Sequence, residues 1–158
     1  LEAWLAVVDA RPDATLLLVG DGPERDGLRR RAHELGCLDS VRFTGFRDDV
    51  PELLDTMDVF VFPSHFEGLP GALLEAMAAG LPIATTPVDG CSELIDEESG
   101  LYIEPHSPDS IAEALLRVIQ NEDLRHRIAN QAQIRASEQF SIESMVSEFE
   151  SLYEKMLT

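Results

Sequence analysis

Two glutamates, Glu67 and Glu75, stand eight positions apart in the stretch HFEGLPGALLEAMAAG, residues 65–80. Glu75 is the one charge in PGALLEAMAA, which otherwise reads as an apolar helix. An ionised side chain in apolar surroundings is costly unless a polar group meets it. A carboxylate has two acceptor oxygens, which pair naturally with the vicinal hydroxyls of a ribose or a hexose. Glu67 and Glu75 are therefore candidates for binding sugar hydroxyls.

The start of the same helix could bind an anion. A helix N-terminus offers free N–H groups and a partial positive charge, and Gly68 and Gly71 would let a phosphate approach the backbone. Two carboxylates around such a helix start suggest a phosphate with a sugar on each side. A simpler interpretation stays open, in which Glu67 precedes the helix as a cap and Glu75 extends to water.

The elements that must position these residues alternate between β-rich runs and helical patterns, which is typical of βαβ units on a parallel sheet. Strands are predicted at 15–20, 40–45, 58–64, 81–86 and 100–105, and helices at 2–10, 23–36, 48–57, 70–80 and 92–97, the last capped by Ser92. The continuous apolar run 58–64 predicts a strand buried on both faces. The helical pattern of 108–158 predicts a helical C-terminal tail. At 158 residues, the chain 1–158 is predicted to be one α/β domain with a parallel sheet. Ligands of such folds bind at the carboxyl ends of the strands, where residues 63–70 lie.

Net charge and cysteine content argue against several kinds of partner and site. The chain has 12 Lys+Arg against 30 Asp+Glu, a net charge of −18, which argues against nucleic acid or an anionic membrane as the partner. Cys37 and Cys91 have no zinc-site spacing, and no Asp-x-Asp tripeptide is present, so no metal site is predicted. Asp48 and Asp49 could be read as metal ligands, but acidic residues are expected in the first turn of a helix because of the helix dipole. Reduced thiols, and the lack of a long apolar run or signal peptide, predict a soluble cytoplasmic protein.

The stretch PSHFEGLPGALLEAMAAGLPIATTPVDGCSELI resembles the E-x7-E signature of the group 1 glycosyltransferases, retaining enzymes of the GT-B fold that use nucleotide sugars. LLLVGDGPERDGL, VRFTGF and DVFVFPS stand where that family has similar segments. The resemblance implies the C-terminal, donor-binding half of a two-domain enzyme, with a three-layer, Rossmann-like arrangement of helices around a parallel sheet. Such an enzyme transfers a hexosyl group from a UDP-, GDP- or ADP-sugar with retention. It also implies no metal or other cofactor, and an N-terminal acceptor domain through which any membrane contact would occur. Two alternatives stay open: a nucleotide-sugar 2-epimerase of the same fold, or a non-catalytic nucleotide-binding fragment.

The resemblance assigns roles to individual residues. Glu75 would hold the ribose hydroxyls, and Glu67 would contact hydroxyls of the donor sugar and is the predicted catalytic residue. Backbone N–H groups for the sugar and diphosphate would come from Gly68, Leu69, Pro70, Gly71, Ala72 and Leu73. The base would meet Gly45, Phe46 and Arg47, where the alternatives are a core position for Phe46 and a surface ion pair for Arg47.

Other candidates have plainer explanations. His65 is either a proton shuttle or a loop residue near the site. The segment Gly20-Asp21-Gly22-Pro23 resembles a phosphate loop but lacks the required glycine spacing and lysine, so a tight strand-to-helix turn is preferred. Glu93 would line the cleft, unless the Ser92 cap alone explains that turn.

The sequence departs from the family in two places. The family's donor domain opens with a strand ending in Gly-Arg, followed by Lys-Gly, whereas this sequence begins at LEAWLAVV. A central first strand is therefore expected to be absent between 15–20 and 58–64, leaving unpaired edges and an apolar gap. In addition, DGCSEL replaces the usual Gly-Gly pair with Asp89-Gly90, which weakens any role carried over to 89–93. The chain alone is expected not to transfer sugar, since the acceptor domain and the basic groups are absent.

Overall fold

The chain alternates strands and helices up to residue 105 and is helical beyond it. A computed structural model describes residues 1–157. The strands are β1 Leu16–Val19, β2 Val41–Gly45, β3 Phe60–Phe62, β4 Ile83–Thr85 and β5 Leu101–Tyr102. The helices are α1 Glu2–Ala10, α2 Arg25–Glu34, α3 Val50–Leu54, α4 Gly71–Ala78, α5 Asp89–Leu94, α6 Pro108–Gln120, α7 Glu122–Gln139 and α8 Ile142–Leu157, with a 3₁₀ turn at Leu38–Ser40. The predicted α/β class and helical C-terminal tail are confirmed over these residues, and within them no helix has the length and apolarity to cross a membrane.

The parallel strands form two separate groups. β1 pairs with β2, and β3, β4 and β5 pair in that order. The free edges of β1 and β3 both line a cavity of about 1040 Å³. The charge of Asp58, before β3, raises the pKa of Arg11, before β1, so the residues that precede the two strands lie close together. The gap between β1 and β3 is where the sequence predicted it.

The half-burial of β3 corrects one prediction. Residues 58–64 were expected to be buried on both faces, but the three residues of β3 are only half-buried. β3 has a hydrogen-bonded neighbour on one side only, and its other edge faces the cavity. β4, which is paired on both sides, is the fully buried strand.

Helices cover both faces of the β3–β5 group. Ile83 of β4 packs in a cluster with residues of α4, α5 and α7, including Leu73, Leu94 and Ala132. The next residue, Ala84, points to the other face and packs with Ile111 and Ala114 of α6. Leu115 of α6 packs with α1, and its cluster includes partly buried residues of β1 and β2, so α6 lies beneath both groups of strands. The three-layer arrangement is confirmed.

Helix α5 starts earlier than predicted. Ser92 is inside the helix and donates its backbone N–H to Val88 O at 2.9 Å, so it is not the cap. Val88 occupies the cap position and provides no side-chain acceptor. The N–H of Gly90, in the first turn, instead donates to the carbonyl oxygen of Glu67 at 3.3 Å. A backbone carbonyl from a distant segment thus accepts an N–H of the first turn, as the side chain of a cap residue does in other helices.

Candidate functional site

The loop between β3 and α4 carries the first glutamate. Glu67 is half-buried, and the hydroxyl of Ser64 donates to its Oε1 at 2.7 Å. This is the one hydrogen bond to the Glu67 carboxylate among residues 1–157. One oxygen is therefore held in place while the other can accept from a ligand.

The N-terminus of α4 presents free donors. Pro70 precedes the helix in an extended conformation, with no side-chain cap. The N–H groups of Leu73 and Leu74 bond to Pro70 O at 3.1 and 3.3 Å, whereas those of Gly71 and Ala72 meet no acceptor among residues 1–157. Pro70 itself has no N–H, so the predicted run of donors from Gly68 to Leu73 is interrupted there. Gly71 and Ala72 are the helix-start donors that an anion could use.

Glu75 lies on the open side of α4. It is exposed, whereas Leu73, Ala76 and Met77 are buried. Residues four apart share one face of a helix, so Glu75 lies on the side of Gly71 and faces the cavity between β1 and β3. Across residues 1–157, no protein group forms a hydrogen bond or ion pair with its carboxylate. The charge of α4 therefore stays out of the core and is available to a ligand.

The loop after β2 provides an exposed aromatic ring. Gly45 has a φ of +70°, a left-handed conformation that suits glycine. Phe46, the next residue, is 83% exposed, so the core alternative for this residue is wrong. Arg47 forms a bidentate ion pair with Asp49, and the hydrogen bond from Arg47 lowers the pKa of that carboxyl. The surface-pair alternative describes Arg47 in this structure, and its contact with a base stays a prediction.

The loop after β1 is a tight turn, as preferred from the sequence. Gly20 has a φ of +109° and donates its N–H to Gly45 O at 3.0 Å. The carboxylate of Asp21 accepts from the N–H of Gly22 at 2.8 Å and pairs with Arg25. The N–H groups of Gly20 and Gly22 are thus already used by protein acceptors.

Sequence reasoning missed the contribution of residues 86–91, which follow β4 and include the first turn of α5. The hydroxyl of Thr86, a residue only 1% exposed, donates to Ser64 O, and Gly90 donates to Glu67 O. Cys91, the next residue after Gly90, is buried. Burial raises the pKa of its thiol, and the nearby charge of Glu67 raises this pKa further. No local pattern identifies these residues, because their partners are more than twenty positions away.

Two histidines stack beside the loop that carries Glu67. The rings of His65 and His106 are 3.9 Å apart between centroids and nearly parallel, at 12°. His106 has a φ of +58°, which is uncommon for a residue other than glycine. His65 is exposed, and its role as a proton shuttle stays a prediction.

Two further candidates are placed by the structure. Glu93 is exposed on α5, and its carbonyl oxygen accepts from Arg135 at 3.0 Å. Asp49 is engaged by Arg47. Within residues 1–157, no group of three or more His, Cys, Asp or Glu side chains could hold a metal ion.

Comparison with known proteins places the chain in a family. Residues 1–135 match the family model described as glycosyl transferases group 1. The chain belongs to the group 1 glycosyltransferases. The matched range includes Glu67, Glu75 and Gly90 and ends before α8.

Individual relatives agree with this assignment. The group 1 domain is 36% identical over 146 residues to the N-acetyl-alpha-D-glucosaminyl L-malate synthase of Bacillus anthracis, covering 92% of this chain and 38% of that protein. Its fold superimposes on Anabaena HepE, crystallised in complex with UDP, with a TM-score of 0.89 at 26% identity, covering 98% of this chain and 44% of HepE. It also superimposes on the C-terminal domain of a group 1 family protein, LpcC, from Francisella tularensis, with a TM-score of 0.78 at 26% identity, covering 89% of this chain and 77% of that one. The chain thus spans less than half of the Bacillus and Anabaena proteins.

Proposed function

We propose that this chain is the donor-binding half of a group 1 glycosyltransferase. The observation that carries the proposal is the arrangement around α4: the free N–H groups of Gly71 and Ala72 lie between a carboxylate held by Ser64 and the unpaired carboxylate of Glu75. An anion at the helix start would have a hydroxyl acceptor on each side. That is the pattern of a nucleoside diphosphate joined to a sugar.

Each part of the donor has a partner in this proposal. Glu75 accepts hydrogen bonds from the ribose hydroxyls, and the N-terminus of α4 binds the diphosphate. Glu67 accepts from hydroxyls of the transferred hexose. Gly68, Leu69 and Leu73 line the same turn, and Gly45, Phe46 and Arg47 receive the base. Phe46 suits this role because its exposed ring has no partner in the core.

The proposed reaction is transfer with retention. The bond between the anomeric carbon and the diphosphate oxygen breaks, and the nucleoside diphosphate leaves with the electron pair. The acceptor hydroxyl attacks from the same face and passes its proton to the departing phosphate oxygen. Stabilisation of the leaving charge by the dipole and N–H groups of α4 lowers the barrier, and no metal ion is required in this scheme.

The donor is a UDP-, GDP- or ADP-sugar, and UDP-sugars are the first to test because HepE was crystallised with UDP and with UDP-glucose. The acceptor is bound by an N-terminal domain outside this chain. We place the reaction in the cytoplasm, since Cys37 and Cys91 are free and buried, as expected where thiols stay reduced.

The experiment is a transfer assay on the full-length protein. It is incubated with UDP-, GDP- and ADP-sugars and a mixture of candidate acceptors, with and without EDTA, and the products are analysed by NMR for anomeric configuration. The proposal expects a glycosylated acceptor with the donor's configuration, and the same rate with EDTA. An inverted product, or an epimerised sugar formed without acceptor, would contradict it, the second result in favour of the epimerase. Residues 1–158 alone should give no product.

A further inference from the structure

We propose that Gly90 is a positioning residue for the loop that carries Glu67, because its missing side chain lets the Glu67–Gly68 backbone lie directly on the first turn of α5. A Cβ atom built at Gly90 would lie 1.9 Å from Gly68 O, 2.5 Å from Gly68 C and 3.0 Å from Glu67 O. All three are backbone atoms, so no flexible side chain can move aside. Any side chain at position 90 would displace the loop.

Hydrogen bonds hold the loop in the same place. The N–H of Gly90 donates to Glu67 O at 3.3 Å. Just before it in the chain, the hydroxyl of Thr86 donates to Ser64 O, and the hydroxyl of Thr85 donates to Phe62 O at 3.0 Å. The stretch from Thr85, at the end of β4, to Gly90, in the first turn of α5, thus fixes the backbone at both ends of 62–68. Ser64, held in this way, then orients the Glu67 carboxylate.

The backbone conformation of Gly90 does not itself require glycine. Gly90 is not among the glycines with a left-handed φ, which are Gly20, Gly36, Gly45 and Gly80. It lies within α5, where alanine is the better helix former. The close approach of Gly68 is therefore the reason a side chain is excluded.

The consequence for the ligand rests on the proposed function. Restoring ordinary contact with a Cβ at position 90 requires the Gly68 backbone and α5 to separate by about 1.5 Å. A shift of only about 1 Å in a positioning group can cost on the order of 100-fold in rate. Glu67 is proposed to act on the sugar, whereas Glu75 lies further along α4. Gly90→Ala should therefore weaken binding of the nucleotide sugar more than binding of the nucleoside diphosphate.

The test compares glycine-to-alanine substitutions in the full-length protein. Gly90→Ala is the test variant. Gly27→Ala, in α2, is the open control, because its Cβ would lie 3.5 Å from the flexible end of Glu24. Gly100→Ala is the crowded control, because its Cβ would lie 2.7 Å from Ile95 and does not approach the Glu67 loop. Thr86→Val is a milder second variant, which removes only the hydrogen bond to Ser64 O.

Two measurements are made on each variant: amide hydrogen exchange of residues 62–70, and calorimetric affinities for a nucleoside diphosphate and its nucleotide sugar. Gly90→Ala is expected to speed exchange in 62–70 and to lower the preference for the nucleotide sugar about tenfold or more. Thr86→Val should shift both in the same direction by less. Gly27→Ala should change neither, and Gly100→Ala should lower Tm without changing the preference.

The outcomes separate this inference from the proposed function. If the unsubstituted protein binds neither ligand, the proposed function fails, and the exchange of residues 62–70 alone decides the role of Gly90. Unchanged exchange and preference in Gly90→Ala would overturn the positioning role while leaving the function in place. If Gly90→Ala does not fold, an unchanged preference and unchanged exchange in Thr86→Val would overturn it equally.

Discussion

At the scale of single residues, Glu75 is predicted to act on the nucleotide itself. It is exposed on the same face of α4 as Gly71 and has no partner in residues 1–157. Glu75→Ala should weaken the binding of the nucleoside diphosphate and of the nucleotide sugar by the same amount. The expected loss is roughly 1.5 to 3 kcal/mol, as for other hydrogen bonds to charged groups. Calorimetric titration of both ligands measures this. Glu113→Ala, at an exposed position of α6, is the control, and no loss in Glu75→Ala would mean that this carboxylate only meets water.

Glu67 is predicted to act on the sugar alone. Glu67→Ala should leave the affinity for the nucleoside diphosphate nearly unchanged while the nucleotide sugar loses its advantage. Turnover should fall as well, because a loosely held donor sugar is aligned for less of the time. The same titrations, together with kcat and KM, test the point. Equal losses for both ligands would refute the separation of roles.

The sequence is more informative about these candidate residues than about their surroundings. The glutamates, the glycines and the helix start could be proposed together because they lie close together in the chain. The exposure of Phe46, the clamp of Arg47 by Asp49 and the contact of Gly90 with Gly68 were not settled by the sequence. The exposure of Phe46 depends on the path of the loop after β2. The partner of Arg47 depends on whether Asp48 or Asp49 accepts from its guanidinium. The contact of Gly90 with Gly68 joins two segments that are distant in the sequence.

At the scale of elements, both ends of α5 form hydrogen bonds with segments that are distant in the sequence. Its first turn meets the Glu67 loop, and at its other end Arg135 of α7 donates to Leu94 O at 2.7 Å and to Asp96 at 2.9 Å. Helices with clear apolar periodicity were predicted within a few residues. The start of α5 was not, because a tertiary hydrogen bond replaced the side-chain cap that sequence patterns reveal.

The Asp96 contacts predict a pH-dependent stability. Hydrogen bonding from Ser99, then the charge of Arg135, lowers the pKa of Asp96 below its usual value of 3.8. A lowered pKa stabilises the fold above the unfolded-state value, and this contribution is lost as the pH falls through the folded-state value. Asp96→Asn should therefore lower stability at pH 7 by roughly 1 kcal/mol, a figure reduced because the carboxylate is partly exposed.

Urea unfolding at pH 7 and near pH 3 measures the Asp96 effect. The difference between Asp96→Asn and the unsubstituted protein should shrink at the lower pH. Glu97→Gln, at an exposed position in the same turn, serves as the matched control. A loss of stability in Asp96→Asn that is the same at both pH values would show that its charge is not the cause.

At the scale of the whole molecule, the sheet is interrupted. The strand order within each group follows from short connections and parallel crossovers, and the position of the gap between β1 and β3 was predicted from the sequence. Its effect on β3 was not, since an apolar run reads the same whether one edge or both edges are paired. An unpaired edge leaves backbone N–H and C=O groups available to water or to another strand.

Amide exchange of residues 1–158 should report this gap. β1 and β3, each paired on one side, should exchange faster than β4, which is buried and paired on both sides. Sedimentation accompanies the measurement, because pairing of free edges between molecules would protect them. Protection of β1 and β3 equal to that of β4 in a monomer would contradict the open gap.

The central claim, that this domain binds a nucleotide sugar through α4 and its two flanking carboxylates, is tested most directly by calorimetric titration of the full-length protein. The ligands are UDP-, GDP- and ADP-sugars and the matching nucleoside diphosphates, without added divalent metal. The account predicts saturable binding for one base, with the nucleotide sugar bound more tightly than its diphosphate. The absence of saturable binding for every member of the panel would contradict it.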